Sequence, residues 1–474
     1  MKKALYTLTV VTLFFSCSKE KSALSVVPLN ADGIAVINIK AIGTDLLHGE
    51  TSLDNIQKLL IGIQFGESNE FKKFIKNIPK LPISIFSKGA VFTYSKEEQR
   101  VLGISIPLMS EALSTIKTIG KQTVLKNKGT SYILFDVTES NKGIALIEKD
   151  YILLLKSTLE TEQLLHEAID LNKLQKSESI VSKNTENHDC YIFAQSNGIA
   201  IDGTLDFEGG KIEIDLHTDF DGENPLDSLL NTPLDFTYDT SSIVEIQSNI
   251  NPNLLNSIPL LPQVIKDVLD TTDVFYGPIS LTLQGVELRS RHFISYKEDE
   301  EFNLIEKTII KIDTVNKIHG HIEGNTQLFS PFLEYFISLN ILKKEKANWY
   351  SSPVLLDQYQ IYPESDKVYF TSYEHDFTNH SHQKKGLAHL YINLEKIHTL
   401  EKNSHFWEGY TIEIDPIKHF YVNQRIKSFD ILLPNTSNIK IDISFKDKDE
   451  NALIECIHIL KRISDLKKKI HLHN

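Results

Sequence analysis

Lys2 and Lys3 stand before an uncharged apolar run over residues 4–15, which closes on Phe15, Ser16 and Cys17. A positive start, a short apolar stretch and a small residue before the cut mark a secretory signal. The run is shorter than the roughly 20 apolar residues a bilayer-spanning helix needs. Residues 1–16 are therefore expected to be removed, leaving a body that folds outside the cytoplasm. No other feature bounds the fold as tightly, because it sets the compartment and the redox conditions in which the core must form.

Removing the signal leaves roughly 458 residues, enough for two or three ordinary domains. A hydrophobic share of 41% and a charged share of 24% describe a globular chain, not a disordered one. No second segment approaches the length of a membrane helix. The formal net charge is −13, and it falls to about −15 without Lys2 and Lys3. That balance argues against nucleic acid, which needs a basic face, and against lying flat on anionic lipid. Lys467-Lys468-Lys469 is the one compact basic run, and it reads as a solvated helix end.

Strands dominate the reading. Residues 34–39 are nearly all apolar, as in a strand covered on both faces. Residues 211–216, 410–414 and 439–445 alternate, as half-buried strands do. Gly209-Gly210 separates two such runs as a hairpin turn. Helices are expected where Phe71, Phe74, Ile75 and Ile78 form one stripe, and where Ile454, Ile457, Leu460 and Ile463 share a side. Two helices share an entry pattern: residues 151–155 run into Ser157-x-x-Glu160, and 439–445 into Asp447-x-x-Glu450.

A longer echo links the chain's two halves. Pro28-Leu29-Asn30 leads into the strand at 34–39, and Pro233-Leu234-Asp235 leads into 242–247, an offset of about 205 to 209 residues. The expected fold is α+β: antiparallel or mixed twisted sheets with helices packed on one face, in two related units. The expected boundaries are a tether over 17–24, one unit over 25–232 and a second over 233–474. Within the second, the segment 343–385 is expected to be loop-rich.

Cys17 directly follows Ser16 and precedes Ser18-Lys19-Glu20-Lys21-Ser22. This resembles a bacterial lipoprotein lipobox in the looser form of Bacteroidota, with Phe14 and Phe15 where Leu and Ala are usual. The resemblance implies that Cys17 is lipidated and becomes the mature N-terminus; the alternative is a plain secretory signal with an incidental Cys. The opening from Leu24 to Lys40 is also similar to that of large uncharacterised Bacteroidota lipoproteins. That resemblance covers about twenty residues, implies an envelope location and a repeated α+β build, and carries no catalytic residues. The mixed charge of Ser18-Lys19-Glu20-Lys21 favours the periplasmic side of the outer membrane over the cell surface.

Signatures of chemistry are sparse. There is no G-x-S-x-G, no H-E-x-x-H, no Walker loop and no G-x-G-x-x-G after a strand. His375, Asp376, His380 and His382 form the best candidate metal loop, because imidazole and carboxylate suit zinc or copper. His166, Glu167 and Asp170 share a helix at ligand spacing but read better as a solvated face. Asp219 and Asp221 lie before Gly222 without the spacing of an EF-hand. His319 and His321 form a weaker pair. Trp349, Tyr350, Tyr359, Tyr362, Tyr373, Phe406, Trp407 and Tyr410 crowd the C-terminal part, as a core, an interface or a glycan-stacking surface. Cys190 and Cys456 sit in apolar stretches and read as buried free thiols.

Three functions fit. The first is a non-enzymatic envelope lipoprotein that binds a protein partner or scaffolds an assembly, needing no cofactor. The second is a secreted metal-dependent hydrolase using the histidine loop. The third is a carrier for a lipid or other apolar ligand.

Overall fold

The computed structural model describes residues 22–46, 87–96, 98–108, 124–127, 130–136, 142–148, 150–179, 188–251, 275–298, 304–346, 349–351, 360–372, 382–397, 425–456 and 458–459. The chain divides into two compact units, one within 1–208 and 450–461, the other within 209–449 and 462–474. Among the described residues no helix is long and apolar enough to cross a membrane.

The first unit holds β1 (Gly33–Asn38), β2 (Lys88–Lys96), β3 (Gln99–Pro107), β4 (Val124–Asn127), β5 (Thr130–Asp136), β6 (Lys142–Ile147), β7 (Tyr151–Ser157), β8 (Cys190–Ser196) and β9 (Ile199–Glu208). Two helices, α1 (Ile39–Leu46) and α2 (Thr161–Asn172), accompany them. The strands pair in the order β9-β8-β1-β2-β3-β7-β6-β5-β4, antiparallel throughout. Residues 144–147 and 151–155 are buried without a break, so these strands read as continuous apolar runs. The main core lies on one face, where Phe92, Leu153 and Leu155 meet Leu164, Ala168 and Leu171 of α2. Helix α2 starts at an N-cap three residues later than the sequence pattern suggests. Ser157 Oγ accepts the N–H of Leu159 at 3.2 Å, while the N–H of Glu160 donates to Gln163 Oε1 at 3.2 Å.

The second unit holds β10 (Lys211–Phe220), β11 (Leu234–Tyr238), β12 (Val244–Asn249), β13 (Phe275–Glu298), β14 (Leu304–Gly324), β15 (Lys343–Lys346), β16 (Trp349–Ser351), β17 (Gln360–Glu364), β18 (Lys367–Thr371), β19 (His382–Gly386), β20 (Ala388–Asn393), β21 (Ile426–Asn435) and β22 (Asn438–Phe445). Its helices are α3 (Pro225–Leu229) and α4 (Thr326–Ser338). The sheet order is β10-β22-β21-β20-β12-β13-β14-β18-β17-β16-β15, again antiparallel throughout. Strands β11 and β19 form a separate antiparallel pair.

Strand by strand, β21-β20-β12-β13-β14-β18-β17-β16-β15 repeats the order β9-β8-β1-β2-β3-β7-β6-β5-β4. One element departs in size: the hairpin β2–β3 has nine residues in each strand, whereas β13 and β14 have 24 and 21.

The α+β expectation of helices packed over sheets is corrected by these strands. The fold is largely β, with large antiparallel sheets and short helices among the described residues. The physical reason is visible in β13 and β14. Arg289, Arg291, Lys297, Lys307, Lys311 and Asp313 all fall on alternate positions and share one face of the pair, a period of two that builds long strands rather than helices. The stripe through Phe71 and Ile78 lies outside the described residues, as does residue 457 of the second stripe. The segment 343–385 contains β15 to β18 and most of β19. Asn231, at the expected inter-unit break, is tied into the second unit by its side-chain bonds to Ile250 O and Asn249 Oδ1.

Candidate functional site

Directly opposed residues in antiparallel strands share a face. In the second unit one such row crosses the eleven described strands of the main sheet: Glu213, Asp442, Asp430, Tyr391, Glu245, Thr282, His319, Thr371, Gln360, Ser351 and Lys343. None is aliphatic. The adjoining row on the other face begins Ile214, Ile441, Ile431, Leu390, Ile246 and Leu281. The polar face is the buried one at β12 and β13: Glu245 and Thr282 are buried, while Ile246 and Leu281 are exposed.

The β11–β19 pair lies across this polar face. Gln247 Nε2 donates to Thr237 O at 2.6 Å, and the Asp239 N–H donates to Glu245 Oε1 at 3.1 Å. Asp430 is the centre of the clasp. Its Oδ2 accepts from Tyr238 Oη at 3.1 Å, and its Oδ1 lies 2.7 Å from Lys384 Nζ and 3.0 Å from His389 Nε2. The Tyr238 ring stands 4.4 Å from that of His389. Burial pushes the Asp430 carboxyl up, but bonds from His389 and Lys384 and the lysine charge more than offset this, holding it below the usual range. Burial, then the Asp430 charge and hydrogen bond, push the Tyr238 hydroxyl far above its usual range. An ionised Asp430 accepts only, so His389 Nε2 carries the proton and Nδ1 is a buried atom without a partner. With both oxygens engaged by three donors, the carboxylate ties β19 and β20 to the Tyr238 end of β11.

Beside the clasp is a groove of about 280 Å³, lined by Lys211, Glu213, Asp215, Lys384, Lys440 and Asp442 among others. Its charges compensate one another. Lys211 lies 2.5 Å from Glu213 and 3.3 Å from Asp442, and Lys440 lies 3.4 Å from Asp215.

At the other end of the polar face, aromatic rings stack from strand to strand. Trp349 lies 4.2 Å from Tyr362, and Tyr362 lies 5.1 Å from Tyr369, with interplanar angles of 24° and 18°. Tyr369 in turn stands 5.7 Å from His321. Tyr362 is covered on both faces by its neighbours, whereas Trp349, at the end of the stack, is 38% exposed. The neighbouring Tyr350 points through the sheet, where Phe329 and Leu333 of α4 pack with it and Val368.

Among the expected site residues, Cys17, His375, Asp376 and His380 lie outside the described residues, as do Tyr359, Tyr373, Phe406, Trp407 and Tyr410. His382 opens β19, is exposed, and stands 5.3 Å from the Tyr238 ring. Among the described residues no metal-sized cluster includes it. His166 and Asp170 are exposed on α2, whereas Glu167 turns inward to accept from Tyr94 Oη at 3.1 Å and pair with Lys96 at 3.1 Å. Asp219 and Asp221 are exposed. Cys190 and Cys456 are free thiols. The Asp430 clasp escaped sequence reasoning because its members are spread from 238 to 430 with no local motif.

Among the described residues, the most exposed large apolar side chains are on the β13–β14 ribbon. From Val286 and Asn316 outward this pair has no third strand among the described residues, a length of about 40 Å at ~3.3 Å per residue. Ile294, Tyr296 and Ile310 share one face of it and are 60%, 62% and 61% exposed.

No family model and no curated protein matches the chain. Solved structures similar to it include three crystal forms of TP0453. Form I is 11% identical, covers 44% of this chain and 82% of that one, and has a TM-score of 0.27. Form IV, at 13% identity, covers 41% and 79% with a TM-score of 0.24, and form III, at 10%, covers 75% and 94% with 0.22.

Proposed function

We propose that this chain is an envelope lipoprotein, anchored through Cys17 on the periplasmic side of the outer membrane, that binds a protein partner with the far half of the β13–β14 ribbon. One observation carries the reading. The two units share a strand order, and the hairpin lengthened in only one of them presents Ile294, Tyr296 and Ile310 to solvent. A bare two-stranded ribbon is marginal in water, and a row of exposed large apolar residues on it is the mark of an interaction surface. Glu298, the last residue of β13, is followed in sequence by Asp299-Glu300-Glu301. Four consecutive acids disfavour an anionic bilayer and suit an apolar protein surface with a basic rim.

The test is a photo-crosslinking residue at Thr308, on the same face, in the full-length protein in cells. The expected result is one discrete protein adduct, lost when Ile294, Tyr296 and Ile310 are all changed to Ser, with melting unchanged and no adduct from a probe at the exposed Glu162. An adduct indifferent to the triple change would overturn the assignment. Incorporation of labelled palmitate, abolished by Cys17→Ala, tests the anchor separately.

A second reading, carriage of an apolar ligand, is favoured by the exposed cross-strand pair Ile246 and Leu281. It requires lipid in an organic extract of the purified protein.

A further inference from the structure

In the first unit, the helical residues 452–456 and 458–459 pack through Leu453 and Ile454 on Ile37 and Ile42. Asn451 caps this segment by accepting the Leu453 N–H at 2.8 Å, and its Nδ2 donates to Phe207 O of β9 at 3.3 Å. Three potential donors are thereby brought together. Glu450 directly precedes the cap, while Glu455 and His458, three apart, occupy one face of the next turn. One ligating atom of each lies within 4.8 Å of the others, and His458 Nδ1 is 3.9 Å from Glu450 Oε1. Glu455 is only 3% exposed.

We propose that Glu450, Glu455 and His458 form a binding site for a divalent transition-metal ion of the zinc class. Two carboxylates and one imidazole are an oxygen–oxygen–nitrogen set suited to such ions, and three protein ligands leave one position of a tetrahedron for water. Ligand bonds of about 2.0–2.2 Å place tetrahedral donors roughly 3.4 Å apart. The His458–Glu450 pair therefore needs to close by about half an ångström, within the reach of small side-chain rotations. The cap at Asn451 and the packing of Ile454 fix the backbone beneath all three donors before any ion arrives.

The test is equilibrium dialysis of the purified full-length chain against zinc alone, followed by metal analysis. The expected result is about one zinc per chain, with affinity lowered at least 10–100-fold by His458→Gln and by Glu450→Gln. Glu450 precedes the helix, so its variant reports on the site even if His458→Gln disturbs folding. No zinc retained by the unaltered chain overturns the proposal. So does uptake that survives both changes, or uptake that His380→Ala abolishes while these two leave it intact.

Discussion

Phe92 lies directly across β2–β3 from Gly103, and so close that a Cβ on the glycine would stand 2.2 Å from Phe92 Cζ. Phe92 is fully buried, so its ring cannot swing into solvent. Gly103→Ala is expected to cost about 1–3 kcal/mol by overpacking. Urea denaturation checks this, and a neutral result would mean that the ring has room to move. The second unit repeats the device, with Phe370 over Gly320 at the same 2.2 Å.

Burial pushes Glu245 up to about 7, although bonds from Ser242, the Asp239 N–H and Gln247 oppose the shift. Its folded value is above its unfolded one, so its contribution is fully present below the unfolded value and is lost as pH rises through about 7. The loss amounts to about 3 kcal/mol at ~1.4 kcal/mol per unit. Glu245→Gln removes this dependence. Its melting temperature relative to the unaltered chain is expected to rise between pH 5 and pH 8; a constant difference would refute the assignment.

Asp430 works in the opposite direction. Its carboxyl is held below the ordinary range, so its contribution is present above the unfolded value and is lost as pH falls through the folded one. Asp430→Ala removes the acceptor of Tyr238 and His389 and leaves Lys384 with only Asp442, at 3.6 Å, and is expected to cost about 1–3 kcal/mol. Lys384→Met, which leaves Tyr238 and His389 on the carboxylate, should cost less. Denaturant titration of both variants gives the ranking.

The two described cysteines are expected to react slowly. Burial first, then Asp189 and Asp206, push the Cys190 thiol up to about 12, and burial, then Glu455, pushes Cys456 up to about 11. Thiolates are the reactive form, so iodoacetamide at pH 8 should label both far faster in urea than in the native protein. Equal native and denatured rates would show that these sites open freely.

Several strands were legible because they obey a local rule. Residues 151–155 and 34–39 are near-continuous apolar runs, and 211–216 and 439–445 alternate; each falls on a strand, except that Ile39 already opens α1. The helix after residue 155 was legible too, though its cap moved to Glu160 because Ser157 still belongs to β7. The length of the ribbon β13–β14 was not legible: residues 279–283 and 286–289 alternate, but the register shift between Leu283 and Gly285 breaks the pattern in two, and only the pairing with β14 shows one continuous strand. Nor was Glu167 distinguishable from its exposed neighbours His166 and Asp170, because the residue that turns it inward, Tyr94, is 73 positions away.

By itself the sequence determined where short strands form and which of their sides are apolar, because alternation is a property of neighbouring residues. Only the tertiary structure decided that Glu245, Tyr391 and Asp430 stand side by side, and that their polar face is buried at β12 while Ile246 faces out. Register between strands 40 to 150 residues apart is set by which pairing satisfies the most backbone and side-chain groups at once, and no local pattern records that choice.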